Sequence, residues 1–203
     1  MRKSALKRTL LLAAAGMMSI TLAACSSSNP GTSAPTTSSS GSGDTSTSVD
    51  GSLAGGVPQV TNPKNIKDLD PCQLLTSAQL AQLGATASPE KGTSGWGEQM
   101  CDWRSDSLDL VIEPETTLGN GIYGTYEQES NTPGFKKIQV DGYPAAQTDQ
   151  QSHSCRIYVG ISQTQEFAVD FALLGGTRPD YMDPCGFAEK VAGMVLTNLP
   201  AAG

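Results

Sequence analysis

Arg156-Ile157-Tyr158-Val159-Gly160-Ile161 and, after a short polar break, Phe167-Ala168-Val169-Asp170-Phe171 are the stretches that decide the fold. Ile157, Val159 and Ile161 alternate with Arg156, Tyr158 and Gly160, and Phe167, Val169 and Phe171 alternate with Ala168 and Asp170. Successive side chains of a strand point to opposite faces, so this alternation marks a sheet with one side on a core. The pattern predicts antiparallel strands over Cys155 to Ile161 and Glu166 to Leu173, packed on helices through one face.

Upstream, Met100 to Arg104, Leu108 to Ile112, Lys136 to Val140 and Ala145 to Thr148 also have strand character, and Gly, Pro, Asn and Asp separate them. Downstream, Phe187, Val191, Val195 and Leu199 recur every fourth residue with Ala188, Ala192 and Leu196 beside them, until Pro200 stops the run. That spacing predicts an amphipathic C-terminal helix. Thr76-Ser77-Ala78-Gln79 matches a capping box, with Leu80, Ala81 and Leu83 following and Gly84 as a stop, which predicts a short helix near the start of the domain. The expected architecture is a single α+β domain over 63–203, an antiparallel sheet of about five to six strands packed with these two helices.

The chain opens with Met1-Arg2-Lys3, Lys7 and Arg8, then an apolar run from Leu10 to Leu22 broken only by Gly16, Ser19 and Thr21. This is the layout of an export signal, and the run is too short for a comfortable membrane-spanning helix. Leu22-Ala23-Ala24-Cys25 at its end resembles the lipobox of bacterial lipoproteins. That resemblance implies cleavage of a signal peptide, residues 1–24, and lipidation of Cys25 by a diacylglyceryl group and a further acyl chain such as palmitate. Two or more chains, at about 0.8 kcal/mol per buried methylene, anchor a protein stably. The expected location is the extracytoplasmic face of the cell membrane, with the bilayer as a partner through acylated Cys25.

Residues 25–62 are almost wholly Ser, Thr, Gly, Pro, Asn and Asp, as in Ser38-Ser39-Ser40-Gly41-Ser42-Gly43. Such a composition cannot bury a core and predicts a disordered tether with a mean reach of about 30 to 35 Å. Thr36 and Thr37 beside Pro35 resemble glycosylated stalks, and an unmodified spacer fits equally well. Loss of Arg2, Lys3, Lys7 and Arg8 with the signal takes the formal net charge from −7 to −11. So acidic a surface argues against nucleic acid and against electrostatic attraction to anionic lipid.

Four cysteines remain, Cys72, Cys101, Cys155 and Cys185, an even number in an exported chain, which predicts two disulfides. Three pairings are possible. Cys72 with Cys101 and Cys155 with Cys185 is favoured, because each bridge would staple a helix start to a nearby strand. The helix starts come from an echo: in Asp70-Pro71-Cys72 and Asp183-Pro184-Cys185, Asp can cap, Pro can take the first helical position and Cys falls in the first turn. Free thiols there would instead be acidified and reactive, the redox alternative.

Asp70-Pro71-Cys72-x-Leu74-Leu75-Thr76, Cys101-x-Trp103, Gly142-Tyr143-Pro144-Ala145, Cys155 and Asp183-Pro184-Cys185 together resemble the actinobacterial lipoprotein family known as domain of unknown function 3558. The resemblance runs from the signal onward. It implies an envelope lipoprotein and brings no assigned chemistry.

Motifs for catalysis are sparse. His153 is the only histidine and sits in a polar turn, no Gly-x-Ser-x-Gly elbow exists, and no zinc or calcium spacing is present, so no catalytic residue, metal or cofactor is assigned. Asp102, Asp106, Asp109, Glu113 and Glu115 read as a solvated face. Gly119-Asn120-Gly121-Ile122-Tyr123-Gly124 matches a dinucleotide fingerprint without its β-α-β setting and reads as a flexible loop. Trp103 is expected in the core near a disulfide. Trp96, between Gly95 and Gly97, is the candidate ligand contact, with a plug over the core as the plainer account. The expectation is a non-enzymatic binding or interaction module with an envelope protein or glycan partner. The alternative is an envelope enzyme acting on wall polymers through carboxylates that spacing does not single out.

Overall fold

The structure, a computed structural model, describes residues 52–53 and 57–203, with side chains from Gln59 onward. The signal peptide, Cys25 and most of the tether lie outside the described residues. Within the tether segment, β1 (Ser52–Leu53) pairs antiparallel with β2 (Val57–Pro58).

The two alternating stretches form β8 (Ser154–Gly160) and β9 (Glu166–Leu173), antiparallel neighbours with Ile157 opposite Val169 and Val159 opposite Phe167. They lie within one seven-stranded antiparallel sheet that also contains β3 (Glu90–Thr93), β4 (Gln99–Arg104), β5 (Leu108–Glu115), β6 (Lys136–Val140) and β7 (Tyr143–Thr148), in the order β3-β4-β5-β9-β8-β7-β6. Seven strands replace the five to six expected. The additional edge strand, Glu90-Lys91-Gly92-Thr93, has no apolar alternation, and its place comes from pairing with β4, Lys91 opposite Cys101.

One face of the sheet carries the main core. α3 (Pro184–Asn198) lies across β8 and β9. Phe187, Ala188, Val191, Ala192, Val195 and Leu196 all turn inward, as the four-residue spacing predicts. Phe171, Tyr181 and Phe187 form an aromatic knot with ring centroids 4.3 to 5.5 Å apart. α1 (Ser77–Leu83) starts at the Thr76 capping box and stops at left-handed Gly84. Adding a Cβ to Gly84 would bring it 2.4 Å from the Tyr181 hydroxyl, so both the turn and the packing need glycine here. Both Asp-Pro-Cys repeats begin helical turns: Asp70 accepts from the Cys72 amide and Asp183 from the Gly186 amide.

Both disulfides join those turns to strands, Cys72 with Cys101 in β4 and Cys155 in β8 with Cys185 in α3. This is the favoured pairing, and it removes the free-thiol alternative. Each bridge closes a loop worth roughly 3 to 4 kcal/mol in unfolded-chain entropy. At the entry to the domain, the Asn65 amide donates to Pro200 and the Ala202 amide to Pro63, so the first residues of the fold lie on the last.

The other face has a lighter cover. The Gly119 to Gly124 stretch is not a flexible loop. Gly119 and Gly121 adopt positive φ, and α2 (Gly121–Glu129) begins there and packs on β7 and β8. Ile122 sits against Gly160, where an added Cβ would approach to 2.7 Å. The glycine-rich pattern therefore serves a turn and a close helix-to-sheet contact in an antiparallel setting, unlike a nucleotide fold. Ile122, Tyr126, Ala146, Tyr158 and Ala168 form a second, smaller apolar cluster, with Trp96 and Phe135 against it.

Candidate functional site

Strand alternation sends every second residue of β4, β5, β9 and β8 to this second face. On β4 and β5 those positions hold Asp102, Asp109, Glu113 and Glu115, and on β9 and β8 they hold Glu166, Asp170 and Arg156. Asp106 is exposed in the turn between β4 and β5, as a solvated face requires, but the other four acidic residues do not form a plain solvated face. Glu115 is 2% exposed and Glu166 5%.

Arg156 is the centre of the arrangement. Its guanidinium is paired with Glu113 and lies 3.4 Å from Asp170. Its Cζ lies 5.5 Å from the Trp96 ring centroid and 4.9 Å from that of Tyr158. Two aromatic faces and two carboxylates thus hold one cation in a fixed position. Burial lowers the basicity of Arg156, but Asp170, Tyr158 and Glu113 more than offset it and the guanidinium titrates above its usual value. Burial also pushes Asp170 up to about 7, with Arg156 pulling the other way. The Tyr158 phenol is raised, first by burial.

Around this centre the carboxyls meet as pairs. Burial, then the charge of Asp109 and a hydrogen bond to it, push Asp102 up to about 6. Asp102 and Asp109 each have an Oδ1 that is buried without a partner. Glu115 and Glu166 stand directly opposite on β5 and β9, and each has an Oε2 in the same condition. Beside Asp109 and Asp170 a cavity of about 160 Å³ opens over Val111, Ser154 and Ala172.

Trp96 lies at the margin of this face. Gly95 and Gly97 place it in a tight turn, closed by Gly97 N–H donating to Ser94, and the turn lays the ring back on the sheet. Its indole N–H donates to the Pro114 carbonyl at 2.8 Å. Half-buried, it packs on the α2 cluster with one ring face on Arg156, an apolar partner that its glycine neighbours did not announce. Trp103 is fully buried on the face of β4 that also carries Cys101. His153 is exposed in a turn, with Ser152 as its neighbour. Among the described residues no group of three or more His, Cys, Asp or Glu side chains is placed to hold a metal ion.

Arg156, Glu113 and Asp170 were missed as site residues in the sequence. The available signal was their phase: each is a charge at a non-core position of a strand whose neighbours on both sides are apolar. Asp170 inside Phe167 to Phe171 is the clearest case.

A family model described as Protein of unknown function (DUF3558) matches residues 20–198. No curated protein and no solved structure matches the chain.

Proposed function

The chain belongs to the family described as Protein of unknown function (DUF3558), and from that premise we propose that it is a membrane-anchored cell-envelope lipoprotein whose domain is a non-enzymatic binding module. The observation that supports a binding role is the Arg156 centre. A guanidinium held between Trp96 and Tyr158 and flanked by Glu113 and Asp170 combines preset charge with aromatic surface, on the sheet face opposite α3. Aromatic and arginine side chains held rigid in this way characterise recognition surfaces. The partner is an envelope protein or a glycan. The anchor rests on Leu22-Ala23-Ala24-Cys25, with Cys25 acylated at the extracytoplasmic face of the cell membrane.

Two measurements test this reading. Cys25→Ser should abolish incorporation of labelled fatty acid, and persistent labelling would remove the anchor. Photocrosslinkers placed in cells at Val111 or Ala172, on the second face, should capture one discrete partner, whereas a crosslinker at exposed Met182 should not. Equal capture from both positions would remove the assignment of the face.

The Asp102–Asp109 pair favours a second reading, an envelope enzyme acting on wall polymers. A carboxylic acid beside a carboxylate can donate and accept a proton near neutral pH. Release of soluble fragments from purified wall by the protein, abolished in Asp102→Asn, would establish that reading over the first.

A further inference from the structure

We propose that the cavity between α1 and β4 is a binding site for a neutral, apolar ligand that leads with a carbonyl oxygen, held by the indole N–H of Trp103. Trp103 is fully buried on β4, it forms part of the cavity wall, and its Nε1 has no hydrogen-bond partner among the described residues. A buried indole N–H ordinarily has one, because leaving it unmet forfeits the bond that water would have supplied. Trp96 is the ordinary case, donating to the Pro114 carbonyl at 2.8 Å.

The local sequence leaves room beside this ring. α1 ends at Gly84, the Ala85 amide turns back to donate to the Leu80 carbonyl, and the chain runs from Ala85 to Pro89 without helix or strand before β3 begins. Leu80, Ala81, Ala85, Ala87 and Pro89 wall a cavity of about 260 Å³ together with Trp103. Three of these walls are single methyl groups, too short to fill the space next to a large ring.

The chemistry of the walls selects the ligand. No ionisable side chain lines the cavity, so a charged group entering it would lose water and gain no counter-ion. An indole N–H donates and cannot accept, so its complement is an acceptor. A carbonyl brings no proton of its own to satisfy, as a hydroxyl or amine would. The only hydroxyl side chains on the walls, Ser77 and Thr86, belong to exposed residues. Water serves this N–H poorly, since a buried water makes about three hydrogen bonds and the side chains around it here are mostly hydrocarbon. The cavity lies on the core side of the sheet, so its assignment does not depend on the binding role of the second face.

Titration of the isotope-labelled full chain with acetophenone, followed through the two indole N–H resonances, tests it. The Trp103 resonance should move saturably while that of Trp96, already bonded to Pro114, stays in place. Isopropylbenzene, a hydrocarbon of nearly the same shape, should bind about tenfold more weakly, the worth of one hydrogen bond to an otherwise unmet donor. Trp103→Phe, followed through the alanine methyl signals, should bring the two affinities together. If that variant fails to fold, Ala81→Leu, at an exposed helix position on the cavity wall, should fill the space and abolish acetophenone binding. An unmoved Trp103 resonance, equal affinity for both compounds in the wild type, a preference that persists in folded Trp103→Phe, or undiminished binding to Ala81→Leu would overturn the proposal.

Discussion

Asp102 and Asp109 are diagonal neighbours across the β4–β5 ladder, each with a buried Oδ1 that lacks a partner, and Arg104 is paired with Asp109 on its outer side. The raised Asp102 value, about 6 against an ordinary 3.8, sets a sign. The folded state holds the proton more tightly than the unfolded chain, so stability present below 3.8 is lost as pH rises through 6. Asp102→Asn should remove this contribution and stabilise the protein at pH 7 relative to pH 4 by about 1 kcal/mol, discounted for partial exposure. Urea unfolding of both proteins at the two pH values measures it. An equal pH response would show that folding does not raise the Asp102 carboxyl.

Arg156→Met removes the cation that pairs with both Glu113 and Asp170. The cost should be about 2 to 4 kcal/mol at pH 8, where two half-buried charges lose their partner. At pH 5 it should shrink, because Asp170, pushed up to about 7, is then protonated. Denaturant midpoints at the two pH values check this. A pH-independent loss would reduce Arg156 to a packing role.

The two tryptophans should separate. Trp103→Ala empties a fully buried site and should cost about 3 to 5 kcal/mol. Trp96→Ala removes a half-buried ring and one hydrogen bond, and should cost about 1 to 2 kcal/mol while weakening capture from the second face. Thermal melts and the crosslinking yield read the two effects independently.

Replacing Cys155 and Cys185 together by Ala should lower stability by roughly 3 to 4 kcal/mol, and the Cys72–Cys101 pair by a similar amount. Non-reducing peptide mapping should recover these two links alone. A mixed pattern would contradict the fold, since Cys72 and Cys185 begin two separate helical turns.

The core side of the domain was largely legible because its elements are periodic. Six of the seven strands, the Thr76 cap and the α3 stripe each follow from apolar spacing or capping chemistry. β3 and α2 were not legible, for related reasons. Glu90 to Thr93 has no buried face of its own, and α2 presents only Ile122, Thr125 and Tyr126 inward between glycines that read as turn residues. The Arg156 centre escaped because it depends on register. Glu113 and Asp170 reach one guanidinium only after β5, β9 and β8 align, and spacing along the chain does not encode that alignment.

Both disulfides lie on the α3 side of the sheet, and neither touches the layer formed by α2 and the Trp96 turn. The domain is therefore riveted on one side and merely laid down on the other. On heating or proteolysis the two sides should fail in sequence: the α2 layer frays and is nicked first, and because neither disulfide spans residues 121–129, the two pieces each keep one bridge and stay together only through the sheet and core. Whatever binds the second face would thus meet the softer side of the molecule, where contact with a partner adds the most order.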